Sequence, residues 1–468
     1  MRKQPLFTLL STLSVSALLL IGGCTDVLDQ LPQHVIAESN FRKTAADAEA
    51  AIIASYDRLQ ALSDGNIIAP SLLSDEATSI TNNDRYDEFD RNTVLADNPR
   101  VEQYWERNYA GIHRVNDALK RVPGIEDATF ATVDRERIVG EAYFLRAYFY
   151  FNLVRTYGGV PLITEPYTTF KTDFSKERAT PEAVYTQIVA DLTEAEKRLP
   201  LTYPTLFAAK GRATQGAAKT MLARAHLYRK EYQKAADKAA EVLALNSYSL
   251  VSGANYPTIF TPTGKNSSEG IFEIQFLSSA SEGMDVFRRF LPSAQATAPA
   301  NTGGDYWAAP TAEFMDAFEP TDIRKAVNLA VTTRPPFNTA GQNYVAKYRR
   351  TTSGDDPNLY MIRLADVILI RAEALTELSQ TALAIPLVNQ IRNRAGLANT
   401  TATTQTTLRE VIEKERWLEF AFEGQRWHDL VRTGRAETKL AVAKNKTVWP
   451  IPARERNVNP KLDQNPGY

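Results

Sequence analysis

The residues best placed to do chemistry lie near the C-terminal end, in IEKERWLEFAFEGQRWHDLVRTGRA at 412–436. Glu413, Glu415, Glu419 and Glu423 alternate there with Arg416, Arg426 and Arg432. On one long helix, Glu419 and Glu423 stand at i,i+4 and Arg416 and Glu419 at i,i+3, spacings that share a face. Two carboxylates flanking a substrate are what a glycosidase uses, one as the acid and one as nucleophile or base. The same residues also read as ion-pair partners of buried arginines, with Trp417, Phe420, Phe422 and Trp427 as the apolar stripe. The second reading is preferred.

Other chemistries are excluded more quickly. No G-x-S-x-G, Walker or G-x-G-x-x-G sequence is present. The four histidines (His34, His113, His226, His428) are far apart, without His-x₃-His spacing, and read as packing or surface residues. One cysteine allows neither an internal disulfide nor a cysteine-based zinc site. Asp84, Asp87, Glu88 and Asp90 lack the glycine and spacing of an EF-hand loop and read as a solvated acidic loop. With 54 basic against 55 acidic residues the net charge is −1, which gives no footprint for nucleic acid. No metal and no cofactor is expected.

The elements that must position these groups are helical. Ile138–Ile163, IVGEAYFLRAYFYFNLVRTYGGVPLI, is apolar on every side of a helix, interrupted only by Arg146, Asn152 and Arg155. Such a helix is buried in a large core, and it is too often charged to span a bilayer comfortably. Asp134 is expected to cap it and Gly158-Gly159 to end it. Thr44 and Thr180-Pro181-Glu182 read as helix starts, and a further helix is expected over Val101–Val122. Residues 217–245 carry small and large positions of a tetratricopeptide-like pair at Leu222, Ala223, Ala235 and Ala239. The stretches 364–378 and 382–395 repeat the scheme. One pair cannot bury its own apolar face, so several must stack. The expected class is all-α, a TPR-like scaffold of helical pairs with a few short strands such as IFEIQF at 271–276. Two long regions, about 63–100 and 247–342, read as irregular, and long loops in a compact protein are usually functional.

Met1-Arg2-Lys3, an apolar run over Leu6–Ile21 and Gly22-Gly23 form a secretory leader. Cys24 follows Ile-Gly-Gly, which resembles a bacterial lipobox. Residues 1–23 are therefore expected to be removed and Cys24 lipidated, leaving 24–468 as one domain. Thr25 in place of Asp removes the best-known inner-membrane retention signal and points to the outer membrane.

Several blocks carry a family likeness: the lipobox, GEAYFLRAYFYFNLVRTYGGVPL, RATQGAAKTMLARAHLY, ADVILIRAEAL, the 412–436 block, WPIP at 449–452 and the final NPGY. In this order and over essentially the whole mature chain, they resemble the SusD/RagB family. The resemblance implies a non-enzymatic, lipid-anchored protein of the outer cell surface. It implies an oligosaccharide ligand, or a peptide in some branches, and a SusC-like TonB-dependent transporter as partner. A secreted glycoside hydrolase of helical architecture is the competing class. Sugars are held by flat aromatic faces together with amides, carboxylates and guanidinium groups. The first loop offers Asn82, Asn83, Asp84, Arg85 and Tyr86, and the second offers Tyr306 and Trp307 beside Asp305, after a Gly303-Gly304 turn. Asp75 lies where the family often has an acid that contacts ligand. Trp307 is expected to be either a ligand platform or an anchor for its own loop.

Overall fold

The computed structural model describes residues 43–80, 85–166, 175–277, 283–292, 304–331, 343–349 and 356–468. Helices of seven or more residues are numbered here in chain order. Thr44 caps α1 (Ala45–Ala61) and forms a capping box with Asp47, each side chain accepting from the other's backbone N–H. After Leu62 the chain turns straight into α2 (Ser63–Leu72), where an irregular loop was expected. Pro70 inside α2 hid the helix from propensity, but eight of its ten residues are buried, so packing holds it.

Asn98 caps α3 (Pro99–Arg121), with Pro99 at its first position. The central helix α4 (Thr132–Tyr157) begins at Thr132 with no side-chain cap. Asp134 therefore sits in the first turn instead of at the cap, where its charge still suits the helix dipole. From Ile138 onward α4 is buried on all sides except at Tyr143 and Arg155, and it ends at Gly158 with φ 73°. Thr180 caps α5 (Pro181–Arg198). The buried Arg146 clamps α4 to α5 through both oxygens of Asp191, at 2.7 and 2.8 Å.

Next come α6 (Gln215–Tyr228) and α7 (Tyr232–Ala244), with Leu222, Ala223, Ala235 and Ala239 all buried in their seam. The scheme recurs in α8 (Leu364–Glu377) and α9 (Thr381–Arg394). Contacts run from α3 to α4, then α5, α6, α7, α8 and α9 in turn, each helix against the next in the chain. This is the serial stack of helical pairs that defines a TPR-like scaffold.

The block at 412–436 is not one helix. α10 (Gln405–Glu419) stops, the chain turns through Phe422 at φ 59° and Gly424 at φ 72°, and α11 (Arg426–Arg432) starts afresh. A Cβ on Gly424 would lie 1.8 Å from the carbonyl oxygen of Asn66, so only glycine fits against α2.

Among the described residues, three two-stranded antiparallel sheets decorate the helices. They pair β1 (Ala77–Ser79) with β3 (Ala308–Pro310), β2 (Gly270–Ile274) with β6 (Leu359–Arg363), and β4 (Leu329–Val331) with β5 (Asn343–Val345). β2 is buried on both faces, including Glu273, where alternation suggested a half-exposed strand. Among the described residues no helix is long and apolar enough to cross a membrane.

Candidate functional site

The two loop regions meet through β1 and β3. Ala77, Thr78 and Ser79 pair with Pro310, Ala309 and Ala308. The ladder extends at both ends: Ile80 N donates to Trp307 O at 2.9 Å, and Thr311 N donates to Glu76 O at 3.1 Å. At this junction the Trp307 and Tyr86 rings lie 5.3 Å apart at 43°. The Arg289 guanidinium sits 3.8 Å from the Trp307 ring centroid. Arg289 also binds Asp305 at 2.6 Å and Asp64 of α2 at 3.2 Å. Arg100 of α3 covers the Tyr86 ring at 5.2 Å. Behind Tyr86 the stack continues through Phe89 and Trp449 to Tyr157 at the end of α4. Such offset and edge contacts are worth about 0.5–1.5 kcal/mol each beyond area burial. The central helix thus supports the loop junction by an unbroken run of rings.

Trp307 is only 7% exposed and Tyr86 only 2%. Neither presents a free face, and Trp307 packs between Tyr86 and Arg289. It directly precedes β3, and of its two expected roles the geometry is that of the anchor. Burial pushes the Tyr86 hydroxyl well up, and the charge of Asp64 adds to the shift. Tyr306 is also buried, at φ 48°, and donates its hydroxyl to Asn343 O at 2.9 Å. Gly304 is no loose hinge: its N donates to Pro292 O at 2.9 Å, and a Cβ there would lie 2.1 Å from Leu291 O.

Among the described candidate ligand residues, Arg85 is the one that remains partly exposed. It stands at φ 61° and pairs with Glu88 and with Asp97, the latter at 2.9 Å. Asn82, Asn83 and Asp84 lie outside the described residues, as does Cys24. Asp75 is directed elsewhere. Its backbone carbonyl accepts from Thr311 Oγ1 at 2.6 Å, while its buried carboxylate is bound by Arg426. The other acids of the first loop are engaged: Asp87 by Arg91, Glu88 by Arg85 and Asn98, Asp90 by Thr78 Oγ1 and Ser79 N.

The carboxylates of the 412–436 block form the ionic core that was read from them. Glu419 meets Arg363 and Arg394, and Arg324 at 3.5 Å. Glu423 meets Arg363 at 2.8 Å and Lys347 at 2.6 Å. Glu415 meets Arg324 at 2.9 Å and Arg392 at 2.7 Å. Burial works to raise the Glu419 carboxyl, but Arg394, Arg363 and Arg324 outweigh it and hold it well below the carboxylate range. A general acid needs a raised pKa and room for substrate; Glu419 has neither. The cavity of about 350 Å³ between α7, α8, α10 and α11 is rich in carboxylates, but each is ion-paired: Glu373 with Arg432, Glu377 with Arg409, Glu413 with Arg426, Asp429 with Arg416.

The family model described as the SusD family matches residues 330–446, and that described as starch-binding associating with outer membrane matches residues 30–227. SusD-like protein P38 of Formosa agariphila is 28% identical, over 97% of this chain and 99% of its own length. The chain belongs to the SusD/RagB family. The crystal structure of a SusD-like protein from Bacteroides fragilis superimposes with a TM-score of 0.81 at 25% identity, covering 92% of this chain and 99% of that one. A laminarin-binding SusD-like protein gives a TM-score of 0.80 at 28% identity, covering 90% and 99%. Members of the SusD/RagB family are binding proteins rather than enzymes. Sequence reading missed Arg289, Asp64 and Arg100 at the junction of this SusD/RagB chain. They come from three separate segments and carry no motif, so only the packed rings reveal them.

Proposed function

We propose that this protein is a non-catalytic, cell-surface glycan-binding lipoprotein of the outer membrane, anchored through Cys24, that captures oligosaccharide and delivers it to a SusC-like TonB-dependent transporter. The observation that carries the reading is the end-to-end likeness to the laminarin-binding SusD-like protein. The ligand face is assigned to the β1–β3 junction. There Arg85 offers its guanidinium group to hydroxyls, and Tyr86, Tyr306 and Trp307 support that face, with Asp75 holding the base of the loop; Asn82, Asn83 and Asp84, outside the described residues, are proposed as further ligand residues. The ion-paired state of Glu419 and Glu423 supports binding over hydrolysis. A peptide ligand is the runner-up within the binding class.

A glycan array on the purified protein, followed by product analysis of any glycan retained, tests this. Retention without cleavage is the expected result. Released products would put the chain among hydrolases, and retention of peptides alone would move it to the peptide-binding branch.

A further inference from the structure

A second concave site, sharing no lining residue with the loop junction, lies between α3 and the C-terminal segment. It is a groove of about 450 Å³. Ile112, Pro161, Ile163 and Leu462 give it an apolar wall, and Val458, on the short helix Ala453–Val458, stands 72% exposed at its edge. Trp105 and Tyr109 lie side by side, ring centroids 4.9 Å apart at 43°. Trp105 is buried against the edge of Tyr157, so it offers no broad face to a sugar ring.

The polar lining of the groove comprises His113, Ser175 and Asn459 together with two carboxylates. These are Glu106 and Glu455, and Glu102 is close by. Arg454 bridges Glu102 at 2.9 Å and Glu106 at 3.0 Å. Around Glu455 the acting charges are therefore those of two further carboxylates and one guanidinium. Burial first, and Glu106 next, push the Glu455 carboxyl up; a hydrogen bond from the Trp105 side chain and the charge of Arg454 offset this only in part. An aliphatic wall ending in under-neutralised carboxylates matches a long side chain with an apolar stem and a cationic head.

We propose that this groove seats a basic side chain of a polypeptide partner, its stem on Ile163, Val458 and Leu462 and its ammonium or guanidinium group between Glu106 and Glu455. Charge complementarity selects that occupant: a neutral apolar chain leaves the acids unpaired, and an acidic one is repelled. The site is separate from the proposed glycan face and does not depend on it.

The test is calorimetric titration of the detergent-solubilised full chain with three blocked tripeptides: acetyl-Leu-Arg-Leu-amide, acetyl-Leu-Gln-Leu-amide and acetyl-Leu-Glu-Leu-amide. The arginine peptide is expected to bind, and the glutamine and glutamate peptides to bind at least about tenfold more weakly. Glu106→Gln with Glu455→Gln should weaken the arginine peptide by a similar factor, with the melting temperature unchanged. Equal binding of the glutamine peptide would assign the groove to apolar chains regardless of charge. Competition by laminarihexaose would make it a glycan subsite. Either result, or no binding of the arginine peptide, overturns the proposal; the peptide series decides even where the double variant folds poorly.

Discussion

Asp75 and Arg426 stand 351 positions apart in the chain and form a buried, two-pronged ion pair, Nε to Oδ1 at 2.6 Å and Nη2 to Oδ2 at 2.5 Å. One residue leads into β1 and the other opens α11, so the pair fixes the entrance of the first loop to the C-terminal block. Arg426 also meets Glu413 at 3.1 Å and lies over the Trp417 ring at 4.5 Å. Its guanidinium is held from several sides, which repays the desolvation that buried charges suffer.

Arg426→Ala leaves Asp75 charged and without its partner. The expected loss is about 3–5 kcal/mol of folding stability, read as a lower denaturant midpoint. Asp75→Asn should cost less, because it keeps the shape and one acceptor. An unchanged midpoint in Arg426→Ala would mean that the loop entrance is fixed by something else.

Trp307→Ala removes a buried ring from between Arg289 and Tyr86. The expected cost is about 3–5 kcal/mol, as for other core aromatics, with glycan affinity lowered only in proportion to the loss of fold. Thermal melts and calorimetric titration on the one variant separate the roles. A normal melt with lost affinity would restore Trp307 as a ligand platform.

Glu76 gives a pH signature. It is buried, with Oε2 accepting from Phe422 N at 3.2 Å and from Ser71 Oγ at 3.3 Å, while Oε1 has no hydrogen-bond partner. Burial, and then the neighbouring Asp75, push its carboxyl up to about 8. The folded state therefore holds this proton more tightly than the unfolded chain. Its contribution to stability is complete below the ordinary carboxylate range and is lost as pH rises toward about 8. The slope contributed is at most about 1.4 kcal/mol per pH unit. Glu76→Gln should flatten the fall in denaturant midpoint between mildly acidic and mildly alkaline buffer. A variant that keeps the parent's slope would place the titration elsewhere.

Cys24→Ser should abolish acylation and processing by the lipoprotein peptidase while leaving the body folded. Metabolic labelling with a radioactive fatty acid reads this directly. Undiminished label in the variant would rule out the proposed anchor.

The scaffold was legible because its signals are local. Thr44 with Asp47, Thr180 with Pro181, and the small residues Ala223, Ala235 and Ala239 all act within one or two turns of their own helix. What escaped depends on distant partners. α2 hides behind Pro70 and is held by what packs on it. The end of α10 at Glu419 is set by a turn that carries Glu423 to Lys347 and Arg426 to Asp75, neither of which any local period announces. At the loop junction Tyr86 and Trp307 were read as candidate ligand residues from their type alone, and they pack on each other and, for Trp307, on Arg289 instead of facing solvent. Alternation and helical period describe one element at a time. They cannot say that a tryptophan just outside a strand will be covered by an arginine from a short helix, Val286–Phe290, eighteen positions earlier in the chain.

The β1–β3 ladder bears on when the loop junction comes into existence. Thr311 and Asp75, joined at its end, are 236 positions apart, and three residues on each side close that span. Closing a loop so long costs entropy before the short ladder returns anything. The helices between, each settled against its predecessor, shorten the effective span as they assemble. The junction is therefore expected to form late in folding, after the stack has brought its two flanks together. A chain caught before that step would hold a native-like helical body without the junction at which the ligand face is proposed.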